Sequence, residues 1–148
     1  MVKSLHRYRA LSAADRWLVI EAAVLLAAVR LGVIGVRVSV LRRALDRSLR
    51  LIAPHSAGRP VPPVSRLGWA VAAASRHLPF RSTCLVESLA VDAMLRRRGY
   101  ASEIRFGVRP PREGVLAGHA WVEHEGDVVF GALTELAEYS VLSTRPVE

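Results

Sequence analysis

From Arg16 to Val36 the chain is almost continuously apolar (WLVIEAAVLLAAVRLGVIGV after the arginine), broken by Glu21 and Arg30 and punctuated by Gly32 and Gly35. A run of about 18 apolar residues is long enough for a transmembrane helix, but two charges at that depth are costly in lipid. The pattern therefore predicts a buried or partner-facing helix pair ahead of an interfacial membrane helix or a true span. Leu11-Ser12-Ala13-Ala14-Asp15 reads as its start, with Ser12 as N-cap and the acidic Asp15 three residues on. Val38 to Ile52 continues with Leu41, Leu45, Leu49 and Ile52 at helical spacing among arginines. Ala53 to Ser65, with four prolines, reads as an extended connector. Ser65 is expected to cap a short helix over Arg66 to His77, closed by Pro79. A further helix is expected from near Cys84 to Gly99, where arginines fill the last turn and glycine stops it.

Beyond Gly99 the period falls from 3.6 to 2. Ile104, Phe106 and Val108 alternate with Glu103, Arg105 and Gly107, which predicts a strand. RPPREGVLA (109–117) reads as a loop, His119 to His124 as a second strand, Glu125-Gly126 as a turn and Asp127 to Phe130 as a third strand. Leu133 to Leu142 reads as weakly helical or irregular. The fold class is α+β, helices first and a small antiparallel sheet after them. In domain terms this is one unit over 1–148, with a helical part (1–52), a connector (53–65) and a core (66–148).

Length and composition fit that picture. The 148 residues are 51% apolar, too many for a disordered chain. One cysteine excludes an internal disulfide scaffold and a multi-cysteine zinc cage, and the five histidines are scattered, so no metal and no cofactor is expected. The polar, basic start carries no signal-peptide pattern, which points to the cytoplasm. The net charge of +8 is uneven: +7 over residues 1–50, +7 over 51–112 and −6 over 113–148. Such a basic body attracts acidic peptides, nucleic acid or an anionic membrane surface alike. Twenty of the 21 basic residues are arginine, a bias that composition alone explains, so nucleic acid is not inferred.

Cys84 is the first candidate for chemistry. It stands where the chain enters a helix, and unpaired N–H groups with the positive end of the helix dipole favour thiolate there. Glu87, three residues on, has capping-box spacing. The plain alternative is a small buried hydrophobe, which is what most free cysteines are. His119 opens the strand Gly118-His119-Ala120-Trp121, and alternation puts His119, Trp121 and Glu123 on one face, Ala120 and Val122 on the other. A histidine on a strand facing the helix start can take the thiol proton and return it to a leaving amine; a histidine satisfied at a strand edge is the alternative. His124 is read as a surface residue, Trp121 as packing, and Arg96-Arg97-Arg98 as a solvated helix end. No phosphate-cradling glycine loop is present.

A cysteine opening CLVESLAVDAMLRRRGY, then ASEIRFGV, then GHAWVEHEGDVVFG, resembles the transglutaminase-like cysteine protease core. More narrowly it resembles the leader peptidases of lasso peptide biosynthesis, the microcin-processing family, over nearly the whole chain. The resemblance implies cleavage of the leader from a ribosomally made precursor peptide. Its implied partners are that precursor, a separate small leader-recognition protein and an ATP-dependent cyclase. It makes Cys84 the nucleophile, His119 the general base and the Cys84 main-chain N–H an oxyanion donor. The family often keeps an aspartate twelve residues past the histidine; here that position is Gly131. Glu123 and Glu135 remain as candidates to orient the ring, or the enzyme works as a Cys–His dyad. Two other readings stand beside this one. One is a catalytically weak peptide-binding or scaffold protein of a maturation complex; the other is a basic module in contact with a membrane surface or nucleic acid.

Overall fold

The computed structural model describes residues 11–35, 60–112 and 115–142. The stretch expected as an amphipathic helix, Val38 to Ile52, lies outside them, as does most of the proline-rich connector. The described chain forms helices α1 (Ala13–Gly35), α2 (Val64–Ser75) and α3 (Cys84–Arg96), followed by strands β1 (Glu103–Arg112), β2 (Val115–His124) and β3 (Asp127–Phe130). A 3₁₀ turn (Leu136–Glu138) and the short strand β4 (Ser140–Val141) complete it. The sheet is antiparallel in the order β3-β2-β1-β4, so the fold is α+β, three helices with a small four-stranded sheet.

α1 starts where the sequence places it. The Ser12 Oγ accepts from the Asp15 N–H (3.1 Å) and donates to the Asp15 carboxylate (2.8 Å). The apolar run then continues as one helix to Gly35 instead of a helix pair, since glycine near a helix end lowers propensity by only about 1 kcal/mol. Leu18, Ala22, Leu26 and Val29 recur on one face, and all are buried. They pack on Leu67, Ala70 and Val71 of α2 and on Val86, Leu89, Met94 and Leu95 of α3. Each such leucine contributes about 2 kcal/mol by leaving water. The opposite face exposes Trp17, Ile20, Val24 and Leu31. Among the described residues no helix is long and apolar enough to cross a membrane.

The charge inside this apolar run has partners. Arg97 (3.0 Å) and Arg98 (2.7 Å) both reach the Glu21 carboxylate. The arginine run at the end of α3 is therefore a clamp on α1, not a solvated end: Arg96 bonds Asp92 (3.1 Å) and the Ser102 carbonyl. Asp15 likewise accepts from both the Nε and the outer nitrogen of Arg66, tying α1 to α2.

Three boundaries depart from expectation. α2 begins at Val64 with Pro63 at the N-cap position, so the connector ends earlier and Ser65 is inside the helix; proline suits the helix start because its N–H would be unpaired there anyway. α3 ends at Arg96, ahead of Gly99. The expected loop 109–117 is instead the outer end of a β-hairpin, β1 running on to Arg112 and β2 beginning at Val115. Pro110 and Pro111 have no N–H to give the ladder, and the register shifts between Arg109 and Arg112.

Candidate active site

Cys84 is the first residue of α3 and half-buried. The cap belongs to Thr83, whose hydroxyl accepts from the Val86 N–H at 3.4 Å. This moves the capping frame one residue back, so Glu87 falls outside the box spacing expected for it. It leaves Cys84 at the positive end of the helix dipole. One turn on, on the same face, Ser88 is fully buried and its hydroxyl donates to the Ala120 carbonyl at 3.0 Å. That bond joins the start of α3 to the strand that carries His119. Nothing in the apolar pattern singled out Ser88; its signal is a hydroxyl four residues past the cysteine, on the same face of the helix.

His119 pairs with Gly107 across β1 and β2. Its ring Nε2 lies 2.7 Å from the Gly131 carbonyl oxygen. A carbonyl has no proton to give, so Nε2–H donates and Nδ1 of the neutral ring keeps a free lone pair. Gly131 has φ +79°, and a Cβ there would stand 3.0 Å from the Ala120 carbonyl oxygen. The position thus holds glycine because the backbone itself turns toward β2, presenting its carbonyl to the His119 ring. Trp121 is buried and stacks on the imidazole (centroids 6.2 Å, 18° between planes), and Tyr139 flanks it at 5.8 Å. Gly107 makes room for both rings, since a Cβ there would come within 2.9 Å of each side chain.

The two acids considered as orienting groups do not bond His119. Glu123 accepts from Trp121 Nε1 (2.9 Å) and from Arg105 Nε (3.0 Å). Burial works to raise its carboxyl, but those two hydrogen bonds and the Arg105 charge outweigh it and hold the group below the usual carboxylate range. Glu135 is exposed and ion-paired to Arg109, whose guanidinium lies over the Tyr139 ring. His124 is more enclosed than expected of a surface residue: its Nδ1 is bonded to the Ala101 carbonyl and its ring meets Tyr100 edge-on.

No hydrogen bond joins the Cys84 thiol to the His119 ring. Val122 belongs to the core shared with the helices, so alternation sets His119 and Trp121 on the face of the sheet turned away from that core. The structure thus places Cys84 and His119 on adjoining elements without bringing them into contact. A cleft of about 540 Å³ opens between the end of α2 and the segment leading into α3; Cys84 does not line it, but Ser82 and Glu87, on either side of Cys84 in the chain, stand on its wall. Among the described residues no three metal-ligating side chains converge.

A cysteine at a helix start and a histidine on an inner strand of the adjoining antiparallel sheet are residue types that cysteine-dependent enzymes use. The family model of the transglutaminase-like superfamily matches residues 23–144, most of the chain, and the protein belongs to that superfamily, which includes cysteine peptidases. No curated protein and no solved structure matches the chain.

Proposed function

We propose that this protein is a cysteine peptidase that removes the leader from a ribosomally made precursor peptide during lasso peptide maturation. The observation that supports the reading is the His119 Nε2–H bond to the Gly131 carbonyl, which fixes the tautomer a general base needs, while Cys84 heads the helix packed on the other face of the same sheet. In the reaction Nδ1 of His119 takes the thiol proton as Sγ of Cys84 attacks the scissile carbonyl carbon. The tetrahedral oxyanion is held by the Cys84 main-chain N–H. The imidazolium then protonates the leaving amine, and the C–N bond breaks to leave a thioester. Water, deprotonated by His119, hydrolyses that thioester and restores the thiol. The free protein lacks the Cys84–His119 bond, and the reading requires the two side chains to come together when the precursor binds. A small leader-recognition protein presents the precursor, and an ATP-dependent cyclase uses the amine set free.

The test is mass spectrometry of a precursor peptide encoded beside this chain, incubated with the protein and its leader-recognition partner. Cys84→Ala is expected to abolish cleavage with an unchanged circular dichroism spectrum; cleavage at near the parent rate would remove the peptidase reading. A second reading, a peptide-binding or scaffold protein with little catalysis, is favoured by the missing hydrogen bond between thiol and ring. It predicts tight precursor binding without cleavage and a Cys84 inert to iodoacetamide at neutral pH.

A further inference from the structure

The cleft beside Cys84 is walled by Arg76 and Leu78 after α2, by Phe80, Arg81 and Ser82 of the segment entering α3, and by Glu87 in the first turn of α3. Glu87 is three residues from Cys84 along the helix, so the cleft adjoins the thiol. Both guanidinium groups are exposed, and neither has an ion-pair or hydrogen-bond partner among the described residues. Most other described arginines are engaged: Arg66, Arg96, Arg97, Arg98, Arg105 and Arg109 all hold a carboxylate. The Glu87 carboxylate is also without a partner there. The Ser82 hydroxyl is buried with nothing bonded to it, an uncommon state for a buried polar atom. Leu78 and Phe80 add apolar surface between the charges.

We propose that this cleft is a subsite for an acidic side chain of the peptide substrate, with Arg76 and Arg81 receiving the carboxylate and Leu78 and Phe80 covering an apolar neighbouring residue. The assignment rests on the peptidase reading for the direction of the peptide, not for the chemistry of the cleft. Two cations against one anion set a net preference for negative charge, and Glu87 limits it.

The experiment uses the full chain and two readouts. The first is fluorescence polarisation of a labelled, C-terminally amidated pentapeptide, Ala-Leu-Glu-Ala-Gly. Its Gln counterpart and the Gln peptide with a free C-terminal carboxylate serve as controls. The Glu peptide is expected to bind at least about fivefold more tightly than either control. R76Q/R81Q should remove that difference, and E87Q should enlarge it. Equal binding of the Glu and amidated Gln peptides overturns the proposal; binding of the free-carboxylate peptide as tight as the Glu peptide overturns its assignment to a side chain. The second readout places the cleft against the thiol. Cys84 is alkylated by iodoacetate and, separately, by iodoacetamide, the sulfur displacing iodide from the same carbon in each. The rate ratio, compared with that of N-acetylcysteine, is expected to favour the anionic reagent at least about threefold, and less in high salt. A ratio equal to the reference thiol overturns the placement beside Cys84. A thiol inert to both reagents counts against the peptidase reading, while the polarisation result still decides the subsite. Arg76 and Arg81 are exposed, so the substitutions stay within surface tolerance.

Discussion

At Gly131 a single residue decides whether a carboxylate can orient the histidine. Twelve residues past His119, it stands where a resemblance-based reading looks for aspartate, and restoring that aspartate would seem the natural way to gain rate. The backbone forbids it. With φ +79° and a Cβ direction 3.0 Å from the Ala120 oxygen and 3.1 Å from Trp121 Cα, any side chain strains the turn and displaces the carbonyl that His119 uses. Gly131→Ala and Gly131→Asp are each expected to cost at least about 1 kcal/mol in urea unfolding and to lower activity. A stable, faster Gly131→Asp enzyme would show that the carbonyl is dispensable. Cys84 and His119 were legible from the sequence, one by its helix start and one by its strand. The carbonyl was not, because every residue carries one and only the backbone turn tells which is used. Tyr139 was equally out of reach, since it comes to the ring through a tail with no regular period.

Between elements, the paired charges explain why an apolar 23-residue helix docks on protein. The helix was legible as an apolar run, but its buried face of Leu18, Ala22, Leu26 and Val29 was not, because apolar residues surround the helix; nor were the partners of Glu21 and Asp15, because pairs 51 to 77 residues apart leave no local mark. Glu21 is about one-tenth exposed and holds two arginines. Glu21→Gln leaves those guanidinium groups side by side without their counter-charge. The expected loss is about 2 kcal/mol by chemical denaturation, less than for a fully buried pair. Asp15 gives a pH signature. Hydrogen bonds from Arg66, then from Ser12, hold its carboxyl below the ordinary range against the opposing effect of burial. A carboxyl lowered on folding contributes fully above its unfolded value of about 4, and that contribution is lost as pH falls through the folded value. Glu123 acts in the same sense. Thermal stability should therefore drop on acidification below about pH 4.5, and Asp15→Asn should flatten that drop. An identical acid profile in the variant would contradict this.

For the whole molecule, the helices-then-sheet order was plain from the change of hydrophobic period near Gly99. Strand lengths were not, because Pro110 and Pro111 look like a loop and only the pairs on either side of them, Arg109 with Ala117 and Arg112 with Val115, carry the strand through. Trp17, Ile20, Val24 and Leu31 leave an apolar stripe along α1, with Trp17 64% and Leu31 72% exposed. Val24→Gln with Leu31→Gln should raise solubility in sedimentation experiments without lowering the melting temperature, since neither side chain is in the core; a large loss of stability would mean that the stripe is covered. If Cys84 and His119 act as one pair, as proposed, the imidazole governs the reactivity of the thiol although no hydrogen bond joins them in this structure. Alkylation of Cys84 by iodoacetamide, followed by mass spectrometry from about pH 5 to pH 9 in the parent and in His119→Ala, tests it most directly. Rapid labelling is expected at pH 6 in the parent, and labelling in the variant slowed at least about tenfold there but unchanged at pH 9. Superimposable profiles for the two proteins would contradict it.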